Sequence, residues 1–198
     1  MTMQARALET RRVIVRAAAL AFVEHGFAGA SLSEIAAQAG VTKGALYFHF
    51  PSKTALASAM ILAQQEANAE LESYVREYRG DHLDLLEDLT HSLARRLVDD
   101  PTLRAAMRLA VEQGQGEDTV ISGTYEAWER LVDGVATEAR AAGELAQDVE
   151  PAVLARFLVA AFTGLQTVSL VSSGLEDLQG RVDDMWRLLR PTLAAPRA

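Results

Sequence analysis

Apolar residues recur along this chain at spacings of three and four, and nowhere in strict alternation, which is the period of helices and not of strands. Val13, Ala17, Leu20 and Ala21 form a stripe that predicts a first helix from Thr10 to His25, closed by Gly26, with Phe22 and Phe27 packing beneath the next two helices. Leu32, Ile35, Ala36 and Ala39 predict a short second helix. Ser31 or Ser33 can cap it, and Ser31-x-x-Glu34 has the form of a capping box. Gly40 supplies the left-handed residue that ends this helix, and Thr42 starts a third that runs to about Phe48. A long helix from Ser52 to Arg79 comes next, ended by Gly80. Ala55, Leu56, Ala59 and Met60 face an N-terminal unit, and Ala63, Ala67, Leu71 and Val75 face a C-terminal one. Five further patterns cover Leu83 to Val98, Pro101 to Gln113, Thr119 to Ala142, Pro151 to Ser172 and Leu175 to Thr192. Breaks fall at Gln113-Gly114-Gln115-Gly116 and at Ala142-Gly143. No strand pattern, internal repeat or low-complexity tract interrupts them. The expectation is an all-α chain: a three-helix helix-turn-helix domain over residues 1–52 and a second helical domain over 53–198.

One helix departs from the one-sided pattern. In Pro151 to Ser172, the residues Val153, Leu154, Phe157, Leu158, Phe162, Leu165, Val168 and Val171 cover most directions. A helix apolar all round must be covered all round. In a body this small a second copy of the chain best covers one side, with Gly164 permitting close approach. The last helix, through Leu178, Val182, Met185, Trp186 and Leu189, is expected to complete a four-helix seam with its twin. The most apolar part, Phe157 to Val171, is too short to span a bilayer.

The third helix carries the chemistry. Thr42 offers a hydroxyl and a methyl to phosphate or to a thymine methyl, and Lys43 a long cation at a helix start. Gly44 and Ala45 let the backbone approach closely. Tyr47 and His49 carry polar tips that can donate to phosphate. Lys53, beyond Pro51, sits at the next helix start, where free amides favour an anion. With the capping serines Ser31 and Ser33, these are the candidate DNA contacts. Tyr47 and Phe48 are also compatible with plain core.

Charge supports the same division. The chain carries a formal −8, but residues 1–60 hold six cations against three acids, and the remainder holds thirteen arginines against twenty-four acids. Both lysines, Lys43 and Lys53, lie in the basic head. A basic head on an acidic body suits a DNA reader whose other surfaces repel DNA. Cysteine is absent, which excludes disulfides and thiolate chemistry. The four histidines, His25, His49, His82 and His91, show no metal-ligand spacing, and neither a serine elbow nor a phosphate loop is present. No metal, cofactor or membrane partner is expected, and the charged N-terminus lacks a leader's apolar run, so the expected place is the cytoplasm.

The run GVTKGALYFHFPSK resembles the DNA-binding domain of TetR family transcriptional repressors nearly residue for residue, over about residues 10–55. The body resembles that of γ-butyrolactone-type autoregulator receptors through PTLRAAMRLAVEQG, YEAWERLV, Phe162-Thr163-Gly164 and DDMWRLLRP. The resemblance implies that residues 53–198 are a ligand-binding and dimerisation domain, and that the chain is a homodimer that binds a palindromic double-stranded operator and is released by a small apolar effector. It also implies that Trp128 lines the effector pocket. An indole offers a flat apolar wall and one N–H donor, which suits a lactone with an alkyl tail; ordinary core is the alternative. Gln64, Thr163 and Thr167 are candidate polar contacts, against an exposed glutamine and threonines bonded to their own helix. The long fourth helix is the expected lever, because it alone is long enough to touch both domains. The loop Gln113 to Asp118, short and polar, departs from those receptors and bears on the pocket mouth. The rival readings are a ligand-blind DNA-binding regulator of the same fold and a small helical enzyme.

Overall fold

A computed structural model gives the fold; it describes residues 3–113 and 123–195, and within them the side chains of all but 3, 64–70, 110, 111, 113, 123 and 124. The helices are α1 Met3–Gly29, α2 Leu32–Gln38, α3 Lys43–His49, α4 Lys53–Glu77, α5 His82–Asp99, α6 Pro101–Gln113, α7 Gly123–Ala141, α8 Pro151–Ser173 and α9 Leu178–Leu193. The described residues contain no strand; a lone antiparallel bridge pairs Leu145 with Ala194.

Residues 1–69 and 100–122 form one compact unit, and 70–99 with 123–198 form the other. The chain therefore crosses between units inside α4, at Asp99/Asp100, and again between α6 and α7.

The first unit is built on a buried cluster of Ile14, Ala18, Phe22, Ile35, Leu46, Leu56 and Met60, to which α6 adds Ala105 and Leu109. α6 packs extensively on α1. The sequence pattern gives α6 to the body, whereas its packing groups it with the first unit. A hydrophobic stripe shows which face of a helix is buried but not which neighbour buries it.

Local chemistry sets the boundaries here. α1 starts earlier than the apolar stripe, so Arg6, Arg11 and Arg12 lie on helix. Gly26, at φ 71° and ψ 175°, interrupts α1, and one more turn follows it. Ser31 caps α2 by accepting from the Ser33 amide at 3.2 Å. Gly40, at φ 66°, turns the chain out of α2, and Thr42 Oγ1 caps α3 by accepting from the Ala45 amide at 3.1 Å.

The second unit packs α7 against α8, with α5 against α7 and α9. Its buried residues include Leu85, Leu86, Leu97, Val135, Ala139, Leu158 and Phe162. Trp186 is buried, and its indole N–H donates to Thr90 Oγ1 at 2.7 Å. Leu178, Val182 and Met185 are buried with it. The inward stripe of α9 thus serves the chain's own core, and Leu188 is the large apolar side chain that α9 leaves exposed.

The turn between α8 and α9 has two successive left-handed residues, Gly174 at φ 64° and Leu175 at φ 80°. Asp177 accepts hydrogen bonds from Ser169, Ser173 and Arg181 around that turn. Those donors, Arg181 foremost, hold its carboxyl well below the usual carboxylate range. α8 spans 23 residues, longer than the expected apolar segment, and by length and composition alone could cross a membrane. Its inner side is nonetheless packed, through Leu154, Ala155, Leu158, Phe162 and Ser169.

Candidate nucleic-acid interface and effector site

α3 is anchored by Leu46, which is buried, and turns its opposite face to solvent. Lys43 and Tyr47 lie four apart on that face, as do Gly44 and Phe48. Tyr47 is 52% exposed and Phe48 83%, so both lie on the outer face, against the reading that they are core. Thr42 is exposed, but its hydroxyl oxygen is already committed to the helix cap; the methyl and the hydroxyl hydrogen remain for a partner. Ser33 is exposed, and Ser31 and Ala45 are half-buried. His49 is half-buried, with its ring edge-on to Phe48 at 5.3 Å. Phe48 is not among the DNA contacts the sequence pattern suggests; its i, i+4 relation to Gly44 is the signal that points to it. Arg11 stands over the Phe50 ring at 5.1 Å, adding a cation beside α3's end.

Lys53 has a different setting. Its ammonium donates to the carbonyls of Ala28 at 3.1 Å and Ala30 at 3.0 Å and lies 4.8 Å from the centre of the Phe27 ring. Two of its three N–H donors therefore close the end of α1, and one is left for an anion.

In the body, Trp128 is half-buried on α7. One turn earlier, the Tyr125 hydroxyl bonds to Thr163 of α8; burial raises the Tyr125 pKa, and that bond works against the rise. Thr163 Oγ1 also donates to the Val159 carbonyl at 2.8 Å, and Thr167, exposed, donates to Thr163 O at 2.7 Å. Both threonines thus make the bonds to their own helix that the sequence allowed. Gln166, one turn beyond Thr163, has a buried side-chain oxygen with no hydrogen-bond partner among the described residues, and such an atom costs free energy until something donates to it. The sequence pattern singles out neither Tyr125 nor Gln166, since polar residues on the packed side of a helix carry no periodic signal. Gln64's side chain and the loop beyond Gln113 lie outside the described residues.

The end of α4, the start of α5 and α7 border a separate cleft of about 930 Å³. Its lining mixes apolar Val75, Leu85, Leu131 and Val135 with Arg76, Arg79, Arg130 and Glu138. At its side, Glu144 accepts from the His82 amide at 2.8 Å and lies 2.9 Å from the imidazole Nδ1. No grouping of histidines and acids that would hold a metal occurs among the described residues.

The outer side of α8 presents Val153, Phe157, Val168 and Val171 to solvent, with Val171 85% exposed. Gly164 lies between them, with open space where a Cβ would be. On α9, Leu188 is exposed.

A capped helix-turn-helix with an outward polar and aromatic third helix, joined to a helical body, defines a DNA-binding regulator. The model described as "Bacterial regulatory proteins, tetR family" matches residues 14–60, and "Tetracyclin repressor-like, C-terminal domain" matches 81–194. The chain belongs to the TetR family of transcriptional regulators. It is similar to the A-factor receptor protein of Streptomyces griseus, with 40% identity over 99% of this chain and 68% of that one. A crystallised γ-butyrolactone receptor (ArpA-like protein) is 31% identical, with a TM-score of 0.81, covering 96% of this chain and 90% of that one. CprB of Streptomyces coelicolor, solved in complex with its biological operator sequence, is 32% identical with a TM-score of 0.79, over 96% and 90% of the two chains.

Proposed function

We propose that the protein is a cytoplasmic repressor that binds a palindromic operator as a homodimer and leaves it when a small apolar effector of the γ-butyrolactone kind enters the body. The α3 face supports the DNA part: Lys43, Tyr47 and Phe48 stand outward around Gly44 on a helix held by the buried Leu46. Thr42, Lys43, Gly44, Ala45, Tyr47 and His49 are assigned to the operator, with Ser31 and Ser33 at the cap of α2 and Lys53 through its remaining N–H.

Pairing through the apolar outer side of α8 fits this role, because one head reads too few base pairs to be selective, and two heads on a twofold axis read a palindrome. The likeness to receptors for A-factor and for γ-butyrolactones supports the effector class. Within the body, α7 carries the half-buried Trp128, the Tyr125 hydroxyl bonds Thr163 of α8, and the Gln166 oxygen on α8 has no partner among the described residues. Thr163 and Thr167 have their hydroxyl hydrogens committed to α8, so toward an effector they act as acceptors or through their methyls. An effector hydroxyl would satisfy Gln166 while its alkyl tail lies on Trp128. A ligand releases DNA only by binding the released state more tightly; coupling of roughly 1–3 kcal/mol weakens operator binding about 5- to 150-fold.

The single observation that carries the reading is the α3 face on a chain whose family is shown over both of its parts. The test is selection of bound fragments from the organism's own DNA, then gel shifts with a panel of alkyl γ-butyrolactones. Release of wild type and failed release of Trp128→Ala, with its operator affinity unchanged, are expected. Binding without release by any lactone removes the effector class, and equal release of the two proteins removes Trp128.

A further inference from the structure

The turn at residues 26–30, which carries the chain from α1 into α2, is held from two directions by oppositely charged side chains. From α4, the Lys53 ammonium bonds the Ala28 and Ala30 carbonyls. From α6, Glu112 Oε2 accepts from the Phe27 amide at 2.9 Å, and the Arg108 guanidinium donates to the Val23 carbonyl. Arg108 Nε also donates to Glu112 Oε1 at 2.6 Å, so the two α6 residues brace each other. Burial works against the Glu112 charge, but the Phe27 amide and Arg108 outweigh it and hold its carboxyl below the usual range. Gly26 fits this grip twice over. Its φ of 71° disfavours a side chain, and a Cβ there would meet Glu112 Oε1 at 2.9 Å and an Arg108 guanidinium nitrogen at 3.0 Å. Both gripping helices are ones through which the chain reaches the other unit. α4 crosses into it between residues 69 and 70, and α6 follows α5 after the single residue Asp100.

We propose that Arg108 and Glu112 are positioning residues for operator reading: they fasten α6 to the glycine turn of α1, and so fix the orientation at which α2 and α3 meet DNA. The proposal rests on the two-headed reading above, since orientation matters most where two heads must match a fixed half-site spacing. A head released from α6 keeps its fold through the α1–α4 core but samples more orientations. It then tolerates spacings that the fastened head rejects.

The test uses the full-length protein, its selected operator, and the same operator with one base pair inserted between half-sites. The readout is the ratio of the two dissociation constants, which a general loss of stability leaves unchanged. In Glu112→Ala and in Arg108→Ala this ratio should fall by about 5-fold or more, and in the double variant by no more than in the stronger single one. Gly26→Ala should move it the same way. Hydrogen exchange in the absence of DNA is the second measurement: the Phe27 amide should exchange faster in Glu112→Ala, while amides of α7 and α8 keep their rates. A wild-type ratio in both single variants overturns the proposal, as does an unchanged Phe27 rate. Absence of wild-type binding to any duplex would instead overturn the two-headed reading, and the exchange rates would still decide whether the fastening exists. If an alanine variant does not fold, Glu112→Gln, which keeps the shape, takes its place.

Discussion

α3 and α8 both turn large apolar side chains to solvent, and their neighbours tell the two faces apart. On α3, Phe48 and Tyr47 are interleaved with Lys43, Thr42 and a backbone opened by Gly44. On α8, Val153, Phe157, Val168 and Val171 run past Gly164, and the helix has a single charged residue, Arg156, off to one side of that line. A mixed face with cations and hydroxyls suits a polyanion with base edges; an uncharged stripe at helical spacing suits another stripe like itself. Exposure of apolar surface marks a partner, and the polar groups between the apolar ones say which kind.

The most severe way to break this contrast is to put charge into the stripe. Phe157→Arg with Val168→Arg should dissociate the dimer in sedimentation and weaken operator binding about 100-fold or more, since buried interface anchors are each worth about 2 kcal/mol or more. A charged stripe that leaves the dimer intact would move the seam elsewhere. Next in size is the α3 face. Tyr47→Ala or Lys43→Ala should cost about 5- to 150-fold in operator affinity, from about 1–3 kcal/mol per base or phosphate contact, with the dimer still formed. Full retention of binding would take α3 out of the interface.

Lys53 sharpens the contrast within the head, because its ammonium is divided between fold and solvent. Lys53→Met removes two bonds to carbonyls and should lower the thermal midpoint by about 3–6 °C. If its remaining N–H meets a phosphate, the salt slope of operator binding also falls by about 1; an unchanged slope assigns Lys53 to the fold alone. The smallest expected effect concerns the turn that sets α9 against α8. Asp177 has its carboxyl pKa lowered in the folded chain by Arg181, Ser169 and Ser173. Its stabilising share is therefore complete above the unfolded value near 3.9 and is lost as pH falls below that toward the lowered value. Asp177→Asn should flatten the acid side of the stability profile measured by circular dichroism, and an unaltered profile would count against the network.

The sequence carried the head's outline well. Ser31, Gly40 and Thr42 fix α2 and α3 by local hydrogen bonds and a single left-handed residue, and local rules need no tertiary knowledge. The long helix over 53–77 and the apolar α8 were legible for the same reason: their periodicity spans many turns. What escaped was set by neighbours distant in sequence. Trp186 looked available for a seam, yet Thr90, 96 positions away, receives its N–H inside the chain. Phe48 looked like core until Leu46 took the inward place beneath α3. Nothing local in the sequence singles out Arg108 and Glu112; only the packing of α6 on α1 brings Arg108 to Val23 and Glu112 to Phe27, each 85 positions away. The candidate effector residues were the least legible, because an isolated indole or a helix threonine has the same local signature in a pocket as in a core.

The central claim is that two identical heads, paired through α8, read a twofold DNA element through α3. Footprinting of the purified protein on fragments selected from its own genome tests it most directly. The account predicts protection of an inverted repeat whose half-sites lie about one helical turn apart or a multiple of it, bound by an even number of chains and lost in Tyr47→Ala. Protection of an asymmetric site by a single chain, or no binding to any duplex at low ionic strength, would contradict it.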